Sequence, residues 1–223
     1  MMSLSAALLA LSLAADPEVT DVSVEVNDGQ SWSVVTGRTV GTGRNLLSGG
    51  MGWPGIDVSY LHGLSDKVDI GARFTFNYGI EGRVAGITPG IKPQFLLKVK
   101  LLDRQKINLG LNIAPGPLFY FPAGFSRLGF VMPIGLQLGI IPNSAVHIGL
   151  SVDLPMYLSF LVYPNGATAT GIFAVPILMG AGVEYFVTSD FLIYGQVKMG
   201  PEIATIGGAV FSIEGKFGVG WRF

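Results

Sequence analysis

Three long stretches of the chain, Ile107 to Ser126, Leu128 to Val152 and Leu154 to Val183, contain no Asp, Glu, Lys or Arg. Each is long enough to cross a bilayer as a helix, which needs about 20 apolar residues. Their prolines argue against it. Pro115, Pro117 and Pro122 fall in the first stretch, Pro133 and Pro142 in the second, and Pro155, Pro164 and Pro176 in the third. Each interior proline costs a helix about 3 kcal/mol. What these stretches keep is a period of two. Leu128, Phe130, Met132, Ile134, Leu136, Leu138 and Ile140 alternate with Gly129, Val131, Pro133, Gly135, Gln137 and Gly139. The same rhythm runs through Val68 to Tyr78, Lys92 to Leu101, Lys106 to Ile113 and His147 to Leu158. It is the signature of strands with one apolar and one small or polar face.

Turn chemistry divides the rhythm into ten strands, expected at 32–43, 55–64, 67–78, 91–102, 105–119, 127–141, 145–159, 171–187, 190–199 and 208–223. Short Asp/Asn/Ser turns such as Ser65-Asp66-Lys67, Asp103-Arg104-Gln105 and Pro142-Asn143-Ser144 are of the kind hairpins favour. They alternate with longer Gly/Pro-rich connections near 45–54, 79–90, 120–126, 160–170 and 200–207. An even count of antiparallel strands closes an all-β, up-and-down transmembrane barrel, with eight or twelve strands as the alternative counts.

The apolar face must meet lipid because the chain lacks the charge to coat a soluble exterior. Only 13% of residues are charged, against about 25% in an average soluble domain, and mean hydropathy is +0.52. A net charge of -1 offers no basic footprint for nucleic acid. With no cysteine and two histidines, the composition supports no thiolate or transition-metal centre and implies no cofactor. Residues 1–15, MMSLSAALLALSLAA, read as a signal peptide cleaved after Ala14 or Ala15, although no Lys or Arg precedes Arg38. Residues 16–31 form an acidic periplasmic segment, and 32–223 the barrel. Val22 to Val35 is expected as a periplasmic hairpin, a short lumen-entering segment or an acidic linker.

Inward positions carry Asp57, Lys92, Lys100, Lys106, Arg127, Lys198 and Arg222 beside six candidate lumen charges, Arg73, Lys98, Asp153, Glu184, Glu214 and Lys216. Opposite signs in a narrow lumen pair, because an unpaired buried charge is costly. Inward glycines at 71, 110, 129, 135, 139 and 149 are expected to leave unfilled volume. A narrow channel with a net basic lumen, or a structural barrel, follows; adhesion or ligand binding comes next. Catalysis ranks below both, since neither Ser59 and His62 nor His147 and Ser151 can touch along an extended strand, and no catalytic residue is assigned.

The chain ends in the alternating run Gly215 to Phe223, with Phe217, Trp221 and Phe223 on its apolar face. With the signal-like start and the short alternating strands, this ending resembles bacterial outer-membrane β-barrel proteins, whose last strand ends in Phe and is read by the assembly machinery. The resemblance implies a Gram-negative outer membrane, both termini periplasmic, contact with outer-membrane lipids and the assembly machinery, and a monomer. Deleting Phe223 is expected to lower the yield of folded, heat-modifiable barrel in the outer-membrane fraction severalfold, while leaving the properties of the assembled remainder unchanged.

Overall fold

The computed structural model describes residues 31–79, 88–164, 170–205 and 208–223. The proposed signal peptide and nearly all of the acidic segment therefore lie outside the described residues. No helix among those described is long and apolar enough to cross a membrane. The strands are β1 (Asn45–Trp53), β2 (Gly55–Ser65), β3 (Val68–Asn77), β4 (Gly90–Asp103), β5 (Ile107–Ile113), β6 (Gly116–Tyr120), β7 (Ser126–Ile140), β8 (Val146–Val162), β9 (Thr170–Pro176), β10 (Leu178–Phe186), β11 (Phe191–Ala204) and β12 (Gly208–Arg222). β5 and β6 both pair with β4 and β7, and β9 and β10 both pair with β8 and β11. Each pair is thus one stave, interrupted at Ala114-Pro115 and at Ile177, where backbone bonds to the neighbouring staves persist, the Ala114 amide donating to the Pro133 carbonyl at 2.9 Å and the Ile177 amide to the Pro201 carbonyl at 2.8 Å. The result is a ten-stave antiparallel barrel.

The barrel closes between its first and last strands. β12 runs antiparallel to β1 from Leu46 opposite Arg222 to Trp53 opposite Gly215. Reciprocal bonds seal the join: the Asn45 amide donates to the Phe223 carbonyl at 2.8 Å, and the Phe223 amide to the Asn45 carbonyl at 2.9 Å. Closure leaves no strand edge unpaired toward lipid, which is the condition for a sheet to cross a bilayer.

Ten staves match the expected count, but the first is not where the sequence placed it. Residues 32–43 alternate, yet they are not a strand of the wall. The stave is β1, inside the Gly-rich run 45–54 expected as a connection. β1 passes directly to β2 through Pro54, with a cis Trp53-Pro54 bond, so short and long connections do not alternate strictly. β8 and β11 also extend further than expected, to Val162 and Ala204.

Period two sorts the side chains as the alternation requires. No outward position of any strand carries a charge, and the outward belt includes Met179 (67% exposed), Phe211 (65%) and Phe217 (62%). Such a continuous apolar surface has no place in water. Trp53 and Tyr78, in edge-to-face contact, and the exposed Phe121 lie toward the long-loop rim. Trp221 and Phe223, tilted against each other, mark the opposite rim. Tyr120 and Phe186, which proximity to strand ends would place in these girdles, are instead buried inside.

Met132 lies near the middle of β7 on its outer face, whereas Leu64 lies at the end of β2. Met132→Arg is expected to destabilise the barrel by about 2–4 kcal/mol and Leu64→Arg by about 0–1 kcal/mol, measured by denaturant titration in lipid vesicles. Equal costs at the two depths would contradict the assigned membrane position.

Candidate functional site

Residues 32–40 lie inside the barrel at its short-turn end. Trp32, Ser33, Val35, Thr36, Arg38, Thr39 and Val40 are all buried. The chain then turns through Gly41 and Gly43, at φ of 96° and 70°, conformations that glycine adopts without steric penalty, and enters β1. Of Val22 to Val35, expected as a hairpin, a lumen-entering segment or a linker, residues 22–30 lie outside the described residues, while 32–35 lie in the lumen with 36–40.

Inward glycines on the wall form a socket for this plug. A Cβ on Gly149 or Gly182 would come within 2.7 or 2.8 Å of Val35 Cγ1. One on Gly139 would lie 2.6 Å from Thr36 Cβ, and one on Gly220 would lie 2.9 Å from Val34 Cγ2. At Gly37 the plug backbone meets the wall so closely that a Cβ would lie 2.2 Å from the Gly110 amide nitrogen. Gly110, Gly139 and Gly149 therefore leave room that the plug fills, not open volume.

Polar groups fix the plug in this socket. Glu184, fully buried on β10, accepts the Val34 amide at 2.6 Å, the Val35 amide at 2.7 Å and the Ser33 hydroxyl at 2.7 Å. Hydrogen bonds to a charged acceptor contribute about 1.5–3 kcal/mol each, so three of them offset the cost of burying the carboxylate. The Lys98 ammonium donates to the Ser33 carbonyl at 2.8 Å, and the Trp32 indole to the Ser189 carbonyl at 2.9 Å. Further along, Arg38 pairs with Asp103 at 3.3 Å, and the Val40 amide donates to Asp69 at 2.9 Å. In the turn outside the membrane, the Thr42 hydroxyl and backbone donate to Asp66 and hold its carboxyl below the usual range.

Above the plug is a cavity of about 160 Å³ lined by charged side chains. Asp57 pairs with Lys216 and Asp153 with Lys198, each at 2.9 Å, while Arg73, Lys92 and Glu214 also face the space. Nearer the long-loop rim, the Tyr157 hydroxyl donates to Glu202 at 2.5 Å. Arg127 lies 4.7 Å over the Tyr157 ring and donates to the Ser159 hydroxyl at 2.8 Å. The Asn77 amide donates to the Tyr120 hydroxyl at 2.5 Å.

Of the six lumen charges expected from sequence, Arg73, Lys98, Asp153, Glu214 and Lys216 line the central cavity. Lys98, expected at mid-height, reaches down to the plug, and Glu184 is the plug's principal anchor. Lys106 is exposed in a turn. Phe217, Trp221 and Phe223 all face outward and are exposed. Sequence reasoning omitted Asp69 and Glu202 from the inward charges. Alternation from Val68 supplied a signal for Asp69, while Glu202 lay in a run expected as a connection. The serine and histidine pairs do not meet: Ser59 shares a hydrogen bond with Ser48, Ser151 donates to Asp153, and His62 contacts Asn45. His147 lies 3.5 Å from Glu184, but the Ser33 hydroxyl is given to that carboxylate.

No protein-family model and no curated protein matches the chain. Among solved structures, it resembles the outer membrane protease OmpT of Escherichia coli at 11% identity and a TM-score of 0.51, over 81% of this chain and 96% of that one. Ail, the attachment invasion locus protein of Yersinia pestis, matches at 10% identity and a TM-score of 0.46, over 82% and 99%. The N-terminal β-barrel domain of Pseudomonas aeruginosa OprF matches at 12% and 0.33, over 82% and 99%. Identities this low establish likeness of fold and not of activity. The chain has the fold of the small outer-membrane β-barrels.

Gly149→Leu is expected to displace Val35 and loosen the plug while leaving the wall closed. In a Trp53→Phe/Trp221→Phe background, which isolates the third of the chain's tryptophans, Trp32 emission should shift to the red and become accessible to acrylamide. An unchanged, shielded Trp32 in that variant would contradict the socket.

Proposed function

We propose that the protein is a passive barrel of the bacterial outer membrane whose narrow polar pore is shut at rest by its own residues 32–40. The observation that carries this reading is Glu184, which gathers two amides and a hydroxyl of the plug in the glycine-lined socket. A wall built only for rigidity would fill its lumen from its own strands. Here the wall instead leaves a recess at Gly110, Gly139, Gly149, Gly182 and Gly220 for a separate segment. In this orientation the short turns and both termini face the periplasm. Lipids contact the uncharged belt, and the assembly machinery reads the terminal strand bearing Phe217, Trp221 and Phe223. The barrel acts as a monomer.

The polar lining of the central cavity gives the opened pore a hydrated path, with Arg73, Lys92, Lys98, Lys198 and Lys216 facing Asp57, Asp153 and Glu214. Conductance in planar bilayers tests the reading. Wild-type protein is expected to be silent, and deletion of residues 31–40 or Glu184→Ala to give discrete openings. A plug-deleted barrel that folds, as shown by heat-modifiable mobility, yet remains silent would reduce the segment to a brace. Wild-type openings equal to those of the deletion variant would remove the closure itself.

A further inference from the structure

Two neighbouring hairpins, β2–β3 and β4–β5, end alike at the short-turn rim. In each, the register shifts just before the turn, between Gly63 and Ser65 in β2 and between Lys100 and Leu102 in β4. Bulges of this kind break the alternation and re-aim side chains. Leu64 is 53% exposed, and Leu101 and Leu102 are 52% and 41% exposed, two adjacent leucines where strict period two would bury one. Cations follow directly. Lys67 in the first turn and Arg104 and Lys106 in the second are exposed, and their side chains have no hydrogen-bond or ion-pair partner among the described residues. The two turns lie side by side, since the Lys100 amide donates to the Lys67 carbonyl at 2.8 Å. The described acids of this rim are already engaged: Asp66 accepts the Thr42 hydroxyl at 2.5 Å, Asp103 pairs with Arg38 and Lys100, and Asp190 pairs with Arg222. The remaining short turns, at 141–145 and 187–190, have regular registers and carry no cation.

We propose that this arc binds the head groups of anionic phospholipids in the leaflet at the short-turn end. The exposed leucines continue the lipid-facing belt to the rim, where acyl chains end and phosphates begin, and the three cations follow them within a few residues on the same hairpins. Because the described acids do not neutralise those cations, the arc is complementary to a head group with net negative charge and not to a zwitterionic one. A basic residue at an anionic membrane surface gives about a fivefold preference, and three of them are concentrated on one side of the barrel. The guanidinium of Arg104 adds a planar fork of donors that matches a phosphate. Across the barrel, the β10–β11 turn presents Val187, 54% exposed, beside Asp190 and no cation of its own. The arc depends on the barrel's seat in the bilayer and not on the plug, so a silent plug-deleted barrel leaves it intact. In the orientation proposed above, it meets the periplasmic leaflet.

Tryptophan quenching by brominated lipids reads which lipid neighbours the arc. In a Trp53→Phe/Trp221→Phe background, which leaves the buried Trp32 as a constant signal, the probe is Leu102→Trp on the arc or Val187→Trp across the same rim. The barrels are refolded into vesicles of equal parts phosphatidylglycerol and phosphatidylcholine, with one lipid or the other brominated near the head group. Leu102→Trp is expected to be quenched severalfold more by brominated phosphatidylglycerol than by brominated phosphatidylcholine, and Val187→Trp equally by both. The excess at Leu102→Trp should vanish in Lys67→Gln/Arg104→Gln/Lys106→Gln and in about 1 M salt, where charges are screened beyond about 3 Å. Equal quenching at Leu102→Trp, the result if the acidic residues within 16–28 occupied the cations instead, overturns the proposal. So does an equal excess at Val187→Trp, or an excess retained in the triple variant. The two probe positions decide even if the triple variant fails to fold, and Leu64→Trp reads the same arc if Leu102→Trp does not insert.

Discussion

Every feature of this protein descends from the two-residue period of a strand set in a bilayer. Alternate side chains must point to lipid, where a charge at mid-depth costs several kcal/mol, and the rest must point into a lumen. The outer wall satisfies the first demand without exception, since none of its strand positions is charged. The second demand concentrates the charges carried by the strands in a space too narrow to hydrate them freely. They resolve into three levels. At the short-turn end Glu184, Lys98, Asp69 and Asp103 hold the plug. In the middle, carboxylates and ammonium groups pair across the cavity. Toward the long loops Arg127, Glu202 and Tyr157 form a bonded layer.

The plug shows how polar satisfaction and apolar packing reinforce one another. Burial of Trp32, Val35 and Val40 contributes about 1.5–3 kcal/mol for each large aliphatic side chain, but only because wall glycines let those side chains approach. The backbone amides carried in with them would be unsatisfied in a dry lumen. Glu184 and Asp69 accept them, and the Ser33 carbonyl receives the Lys98 ammonium. Removing the Glu184 carboxylate would therefore strip acceptors from three plug donors at once, whereas removing one valine would leave the polar frame intact.

How much of this was legible in the sequence differs by residue. The faces of β7 and β8 were plain, because long runs such as Leu128 to Ile140 keep strict alternation between turns of recognisable chemistry. Residues 32–43 misled for a physical reason: alternation reports two unlike environments but not which ones. In the plug, Trp32 and Val40 pack against apolar groups while Ser33 and Thr39 find polar partners, all within the lumen. β1 was hidden by its glycines, which suggest a loop. Gly50 is a strand residue whose missing side chain makes room for the Tyr194 hydroxyl, 2.5 Å from where a Cβ would stand. The inward glycines on five other staves did contain the signal that a filler was needed; the filler's identity depended on a three-dimensional fit.

That fit also ties the plug to barrel closure. Its socket draws on β5 through Gly110, β7 through Gly139, β8 through Gly149, β10 through Gly182 and Glu184, and β12 through Gly220. No single hairpin supplies it, so the recess is complete only when β12 has met β1. Trp32 sits at the join. Its ring lies beneath Gly220, the Arg222 guanidinium lies 5.7 Å over it, and Arg222 in turn pairs with Asp190 at 3.0 Å in the adjoining turn. Asp190 accepts hydrogen bonds from Ser189 and from Arg222, which hold its carboxyl below the usual range and keep the partner of Arg222 charged in mild acid. The last strand thus has two tasks with opposite faces. Phe217, Trp221 and Phe223 face the lipid, while Gly220 and Arg222 complete the seat of the segment that enters the barrel before the first strand begins.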